Sequence, residues 1–166
     1  MPKTTHRILA LDPGTRKTGY ALLQDGKLLY HGVKVFAKDR PPRENLREAR
    51  EAVLGLITTL KPNVLAVERA VFSKRTPRTV LLNLYYRQIL YLGRRANLKI
   101  LAYAPSTVKK SVTGYGWATK QQVAQMVVYR YPELKAYLLR DRGWKSLHHS
   151  NMFDAVAVGL LALKDQ

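Results

Sequence analysis

The chain has 166 residues, enough for one domain with a substantial core, and 46% of them are hydrophobic, which excludes a disordered or low-complexity protein. Its 29 Lys+Arg against 11 Asp+Glu give a formal net charge of +18. A phosphate-rich partner is the first explanation of that charge; a ribosomal-type basic protein and a thermophile surface are the plainer ones. The absence of cysteine excludes disulfides, a thiolate zinc site and a cysteine nucleophile.

Met1 to His6 carries no apolar run and no later stretch is long enough to span a membrane, so the expected compartment is the cytoplasm of a bacterial or phage system or an organelle matrix. Arg7 to Asp12 reads as a buried strand followed by the turn Pro13 to Lys17. Tyr20 to Gln24 and Lys27 to Phe36 read as two strands joined by the hairpin signal Asp25-Gly26. Ala37 to Pro42 is a loop. Leu46, Ala49, Val53, Leu54, Ile57 and Leu60 then recur at helical spacing. Asn63 to Glu68 is a fourth strand, and Arg69 to Pro77 a basic loop. Leu81 to Leu98 has helical length but is apolar around most of its circumference, so it must be covered on two sides, by the core and by a second subunit. Lys99 to Ala104 is a fifth strand and Pro105 to Thr113 a short helix, broken by Gly114-Tyr115-Gly116. Thr119 with Gln122 forms a capping box for the next helix. Tyr131 to His149 is a basic connector without a clear period. Ser150 is the expected N-cap of a last helix running to about Leu163. The order predicts an α/β fold, a five-stranded mixed sheet with helices on both faces, as one domain over 1–166.

Three carboxylates stand where they are costly. Asp12 ends the run Ile8 to Leu11, Glu68 ends Val64 to Val67, and Asp154 opens Ala155 to Leu161. Burying an acid beside apolar neighbours needs a cation or strong donors in compensation. Capping or an ion pair explains Asp12 or Asp154 singly but fits the three together poorly. In so basic a chain they point to a divalent-metal site on a polyanion-binding protein.

Four segments in order, LALDPGTRKTGYALL (Leu9 to Leu23), Val67-Glu68 at a strand end, TVKKSVTGYGWATKQQVAQMV (Thr107 to Val127) and FDAVAVGLLAL (Phe153 to Leu163), resemble Holliday junction resolvases of the RuvC type, in the ribonuclease H-like superfamily. The first motif alone is shared with actin-like ATPases and sugar kinases; the ordered set is not. The resemblance implies that the first and fourth strand ends lie side by side with the last helix aimed at them. It implies that Asp12, Glu68 and Asp154 are catalytic metal ligands. The family's fourth acid, three residues before the last, is here Asn151, and His148 or His149 could stand in for it. Lys109 and Lys120 match lysines near the scissile phosphate, although charge density alone would also put lysines there. Phe72, in the loop with Arg69, Lys74, Arg75 and Arg78, resembles an aromatic that probes unstacked bases, or is a core residue. Lys110, Tyr115 and Trp117 suit a DNA-facing loop, though aromatics between glycines also serve as packing anchors.

An oxygen-only donor set favours Mg²⁺ or Mn²⁺ over zinc, and the resemblance implies two ions per site. The implied reaction is phosphodiester hydrolysis to a 5′-phosphate and a 3′-hydroxyl, by paired nicks in a four-way DNA junction. The implied partners are that junction, a second copy of the chain in a C2 dimer through Leu81 to Leu98, and branch-migration motor proteins. Two rivals stand beside this reading: a ribonuclease H-like nuclease on another nucleic acid, and a branched-DNA binding protein whose site has degraded at Asn151.

Overall fold

The structure is a computed structural model that describes residues 5–70, 74–142 and 148–166. Five strands, β1 (Arg7–Asp12), β2 (Lys17–Gln24), β3 (Lys27–Val35), β4 (Val64–Glu68) and β5 (Lys99–Tyr103), form one sheet in the order β3-β2-β1-β4-β5. The first three are antiparallel neighbours, whereas β4 and β5 run parallel to β1, so the expected mixed sheet is present. Asp25 and Gly26 both have positive φ, 50° and 80°, as the tight turn between β2 and β3 demands.

Strand alternation sorts the core into two layers. Leu9, Leu11, Leu22, Leu65 and Val67 face α1 (Pro42–Leu60) and α2 (Pro77–Arg95), meeting Ala49, Val53, Tyr85 and Ile89. Ile8, Ala10, Ala21, Leu23, Val64 and Ala66 face the other way, toward α3 (Pro105–Thr113), α4 (Lys120–Arg130), α5 (Lys135–Arg142) and α6 (Ser150–Lys164). Helix α6 lies on the sheet through Met152, Phe153, Val156 and Ala157, all buried.

Several element boundaries differ from the sequence reading: β2 begins at Lys17, where a turn was expected, and α2 ends at Arg95, three residues before Leu98. Helix α2 begins four residues early because Thr76 and Thr79 cap each other: each side chain accepts from the other's backbone N–H, at 3.2 and 2.8 Å. A threonine replaces the Glu or Gln by which such a box is usually recognised. The connector after Tyr131 is not irregular throughout. It holds a 3₁₀ turn (Pro132–Leu134) and α5, with Leu134, Leu138 and Asp141 buried at helical spacing. Ser150 is not the cap of α6; it is the first helical residue, His149 is the cap, and no side chain of that cap bonds the helix.

Candidate active site

Register and alternation bring the first two acids together. Leu11 pairs with Val67 in the parallel β1–β4 ladder, so Asp12 and Glu68 follow at the same level of adjacent strands. Leu11 and Val67 point toward α1 and α2, hence the next residue of each strand points toward α6. The first turn of α6 supplies Asn151 and Asp154, three apart and on one face. Asn151 Nδ2 donates to Asp12 Oδ2 at 2.8 Å. Gly19, opposite Asp12 in β2, makes this approach feasible, because a Cβ there would overlap the carbonyl of Asn151.

The electrostatics show acids short of compensation. Burial, then Glu68 and Asp154, push the Asp12 carboxyl well above its usual range; Lys120 and Asn151 oppose the shift. Burial and Asp154 raise Glu68 to about 7, against Lys120 and Lys109. Asp154 is raised by burial and relieved by the same two lysines. Lys120 Nζ lies 3.4 Å from Asp154 Oδ2. Burial works against its ammonium, yet Asp154, Asp12 and Glu68 together hold its pKa above the ordinary value. Three acids raised by burial, offering oxygen donors alone, fit a hard divalent cation. Among the described residues no three His, Asp, Glu or Cys side chains stand close enough together to hold a metal ion as they are.

A pH dependence follows. Because Glu68 keeps its proton to higher pH in the folded chain than in the unfolded one, the stability it contributes is complete below the ordinary carboxylate range and is lost as pH rises to about 7. For Glu68 alone the loss is on the order of 3 kcal/mol, or several degrees of Tm in a chain of this size. Chelator-treated protein should melt lower at pH 7.5 than at pH 5.5. Glu68→Gln should flatten that difference in a thermal scan, and added Mg²⁺ or Mn²⁺ should recover it in the wild type.

The other expected residues divide clearly. Lys109 and Lys120 are at the acids. His148 and His149, expected as stand-in ligands, are engaged elsewhere: His149 Nδ1 is 2.8 Å from Asp141 Oδ1 and His148 Nδ1 is 3.1 Å from Lys17 Nζ. Burial and then Lys17 lower the pKa of His148. Tyr115 and Trp117 are 59% and 84% exposed, so neither is a packing anchor. Lys110 is exposed on α3. Lys74, Arg75 and Arg78 are exposed around the start of α2, and Arg69 Nε donates to the Ala102 carbonyl at 3.3 Å. Phe72 lies outside the described residues.

Two clefts of about 980 and 510 Å³ lie beside the start of α2, and none of the three acids lines them. The larger is walled by Arg16, Lys38, Arg40, Arg75 and Arg78. Phosphates protruding from a duplex need charge at the surface and no deep pocket, so these basic clefts suit a nucleic-acid substrate. Sequence reasoning missed Arg16, Lys38 and Arg40, which the fold alone brings across from Arg75 and Arg78. It also missed the buried Thr18–Tyr85 hydroxyl pair, 2.9 Å apart, which ties α2 to the strand beside Asp12.

Acids on adjacent central strands and on a facing helix, in a sheet of this order, form the arrangement expected of a ribonuclease H-like nuclease. A family model described as Crossover junction endodeoxyribonuclease RuvC matches residues 8–141, a span that includes Asp12 and Glu68 and stops before Asn151 and Asp154. The proteins of that name from Geotalea uraniireducens and Methylobacterium radiotolerans are 32% and 34% identical. The first match covers 96% of both chains; the second covers 76% of this chain and 63% of the relative. The chain therefore belongs to the RuvC family of crossover junction endodeoxyribonucleases. Thermus thermophilus RuvC in complex with a Holliday junction substrate shares the fold, with TM-score 0.73 at 24% identity, covering 93% of this chain and 91% of that one. The yeast mitochondrial Holliday junction resolvase Ydc2 shares it at TM-score 0.67 and 15% identity, over 93% and 76%.

Proposed function

We propose that the chain is one nuclease domain over residues 1–166 that resolves four-way DNA junctions by symmetric nicks. The observation that carries this is the meeting of Asp12, Glu68 and Asp154 beside Lys120, on a chain of net charge +18. Asp12, Glu68 and Asp154 would hold the metal through carboxylate oxygens, and Asn151, bonded to Asp12, would add its amide oxygen as a neutral donor. When bound, two Mg²⁺ or Mn²⁺ ions supply Lewis-acid charge for in-line attack of water on phosphorus, with cleavage of the P–O3′ bond. Lys120 and Lys109 present ammonium groups to the negative charge that builds on the phosphate oxygens. Tyr115 and Trp117, with Lys110, face the strand from the exposed loop after α3. The bacterial relatives support the cytoplasm of a bacterium as its place of work, and among the described residues no helix is long and apolar enough to cross a membrane.

The test is a synthetic junction labelled on each strand in turn. Paired nicks at symmetric positions in two opposite strands, dependent on Mg²⁺ or Mn²⁺, support the reading. Equal cutting of linear duplex or of an RNA–DNA hybrid would favour the broader nuclease, and tight binding without cutting the degraded-site alternative.

Two nicks require two sites, which a C2 dimer supplies. Helix α2 leaves Val80, Leu84 and Tyr91 along one face, 39%, 46% and 48% exposed, while Tyr85 and Ile89 are buried on the other. Tyr91→Glu should therefore give folded monomers in analytical ultracentrifugation, which would still bind a junction and would lose paired cutting, whereas Leu84→Glu should also weaken junction binding because Leu84 lines the basic clefts.

Asn151 brings a neutral donor where the family has an acid. An amide attracts a divalent cation less than a carboxylate does. Asn151→Asp should lower the Mg²⁺ concentration for half-maximal nicking, by about tenfold for a gain near 1.4 kcal/mol, and an unchanged metal titration would show that Asn151 is no ligand.

A further inference from the structure

Asp141 is a buried carboxylate for which the phosphodiester chemistry has no use. It lies in α5 and is 1% exposed, yet both of its oxygens are occupied by one residue. Oδ2 accepts the backbone N–H of His149 at 2.9 Å, and Oδ1 is 2.8 Å from His149 Nδ1. An ionised carboxylate only accepts, so the ring donates from Nδ1. The ring is held on two further sides, with Tyr137 of α5 and His148 each edge-on at 4.9 Å between ring centroids.

His149 is the cap of α6, and no side chain of its own satisfies the start of that helix. Asp141 does part of that work from another helix, placing a negative charge and an acceptor where the orphan N–H groups and the positive end of the helix dipole lie. Two residues on, Asn151 bonds Asp12, and five residues on, Asp154 meets Lys120. The same turn is pressed against β2, since Gly19 leaves no room beside the Asn151 carbonyl. The start of α6 is thus held between Gly19 on one side and Asp141 on the other. A helix turns about 100° per residue, so a small rotation of that first turn swings Asp154 away from Asp12 and Glu68.

We propose that Asp141, acting through His149, is a positioning residue for the metal site: it sets the rotation and depth of the first turn of α6 and thereby the convergence of Asp154 with Asp12 and Glu68. This rests on the nuclease reading above for its catalytic consequence, but not for its effect on metal binding. A misplacement of about 1 Å in a reacting constellation costs on the order of a hundredfold in rate.

The experiment compares wild type with Asp141→Ala, Asp141→Asn and His149→Ala, each checked for folding by circular dichroism. Mn²⁺ affinity is read by calorimetry without DNA, and junction affinity and single-turnover nicking rate are read separately. Asp141→Ala should weaken Mn²⁺ binding about fivefold or more and slow nicking about tenfold to a hundredfold, with junction affinity within about twofold of wild type. Asp141→Asn should recover most of the loss, because its oxygen still accepts from the His149 N–H and its amide pairs with the ring in the other tautomer. A merely structural acid would lower the melting temperature and leave Mn²⁺ affinity and nicking rate within about twofold of wild type, which overturns the proposal. Should Asp141→Ala fail to fold, His149→Ala decides in its place: it keeps the carboxylate bond to the backbone, and unchanged Mn²⁺ affinity and rate in that variant overturn the proposal too. A wild type that binds Mn²⁺ but cuts no nucleic acid overturns the nuclease reading alone, since the Mn²⁺ affinities still decide whether Asp141 positions the site.

Discussion

Asp12→Asn, Glu68→Gln and Asp154→Asn are each expected to slow junction nicking by about a thousandfold or more, equivalent to about 4 kcal/mol of transition-state stabilisation, while junction binding is kept or strengthened. Each change removes a charged oxygen donor from the metal site, and each also removes a negative charge facing phosphate. The variants should in addition melt at a higher temperature than wild type when metal is chelated. Burial holds all three acids above their ordinary range, with repulsion from neighbouring acids added for Asp12 and Glu68, so ionising any of them at neutral pH costs stability that an amide does not. An acid that served the fold would behave in the opposite way. Parallel loss of cutting, binding and melting temperature in these variants would assign the acids to structure and remove the basis of the nuclease reading.

Junction affinity should fall by about a thousandfold or more between 50 and 200 mM salt, as the release of counterions from six or more neutralised phosphates requires. The cations that this requires line the two clefts and adjoin the acids. Arg16, Lys38, Arg40, Arg75 and Arg78 wall the large cleft, Lys74, Arg75 and Arg87 its neighbour, and Lys109 and Lys120 stand at the acids. Arg40 also bonds Glu48 at 2.7 Å, so its contribution should be smaller than that of Arg75 or Arg78. Fluorescence anisotropy across a salt series gives the slope directly, and Arg75→Ala should reduce its magnitude by about one unit. A change of less than about tenfold over that range would mean that the charge serves something other than phosphate contact.

Much of the site was legible because local rules govern its parts. An acid ending an apolar run is costly in any fold, so Asp12 and Glu68 stood out before their adjacency was known, and the i, i+3 spacing of Asn151 and Asp154 placed them on one helix face. The strand periods and the Asp25-Gly26 turn predicted the sheet. The start of α2 was less legible, since Thr79 does the work of a Glu or Gln in its capping box. Helix α5 was hidden because its apolar residues do not mark one face: Leu139 is 53% exposed beside buried Leu138, and the next buried position is the acid Asp141.

The sequence by itself determined the chemistry available to this protein: oxygen ligands without thiols, an excess of cations, aromatics in a glycine-bounded loop, and the residue types at each strand end. Tertiary structure decided how those groups are used. The parallel register of β1 with β4 put Asp12 and Glu68 at one level, and strand alternation turned both toward α6. The β1–β2 turn and the loop after β3 came to rest across from the start of α2, setting Arg16 from the first and Lys38 and Arg40 from the second opposite Arg75 and Arg78. His149 was bound by Asp141 and not by the metal site. The physical reason is the same in each case. Periodicity tells which face of an element a residue occupies, but the partner across that face is set by long-range packing, and a side chain with several possible hydrogen-bond partners takes the one that packing brings within 3 Å.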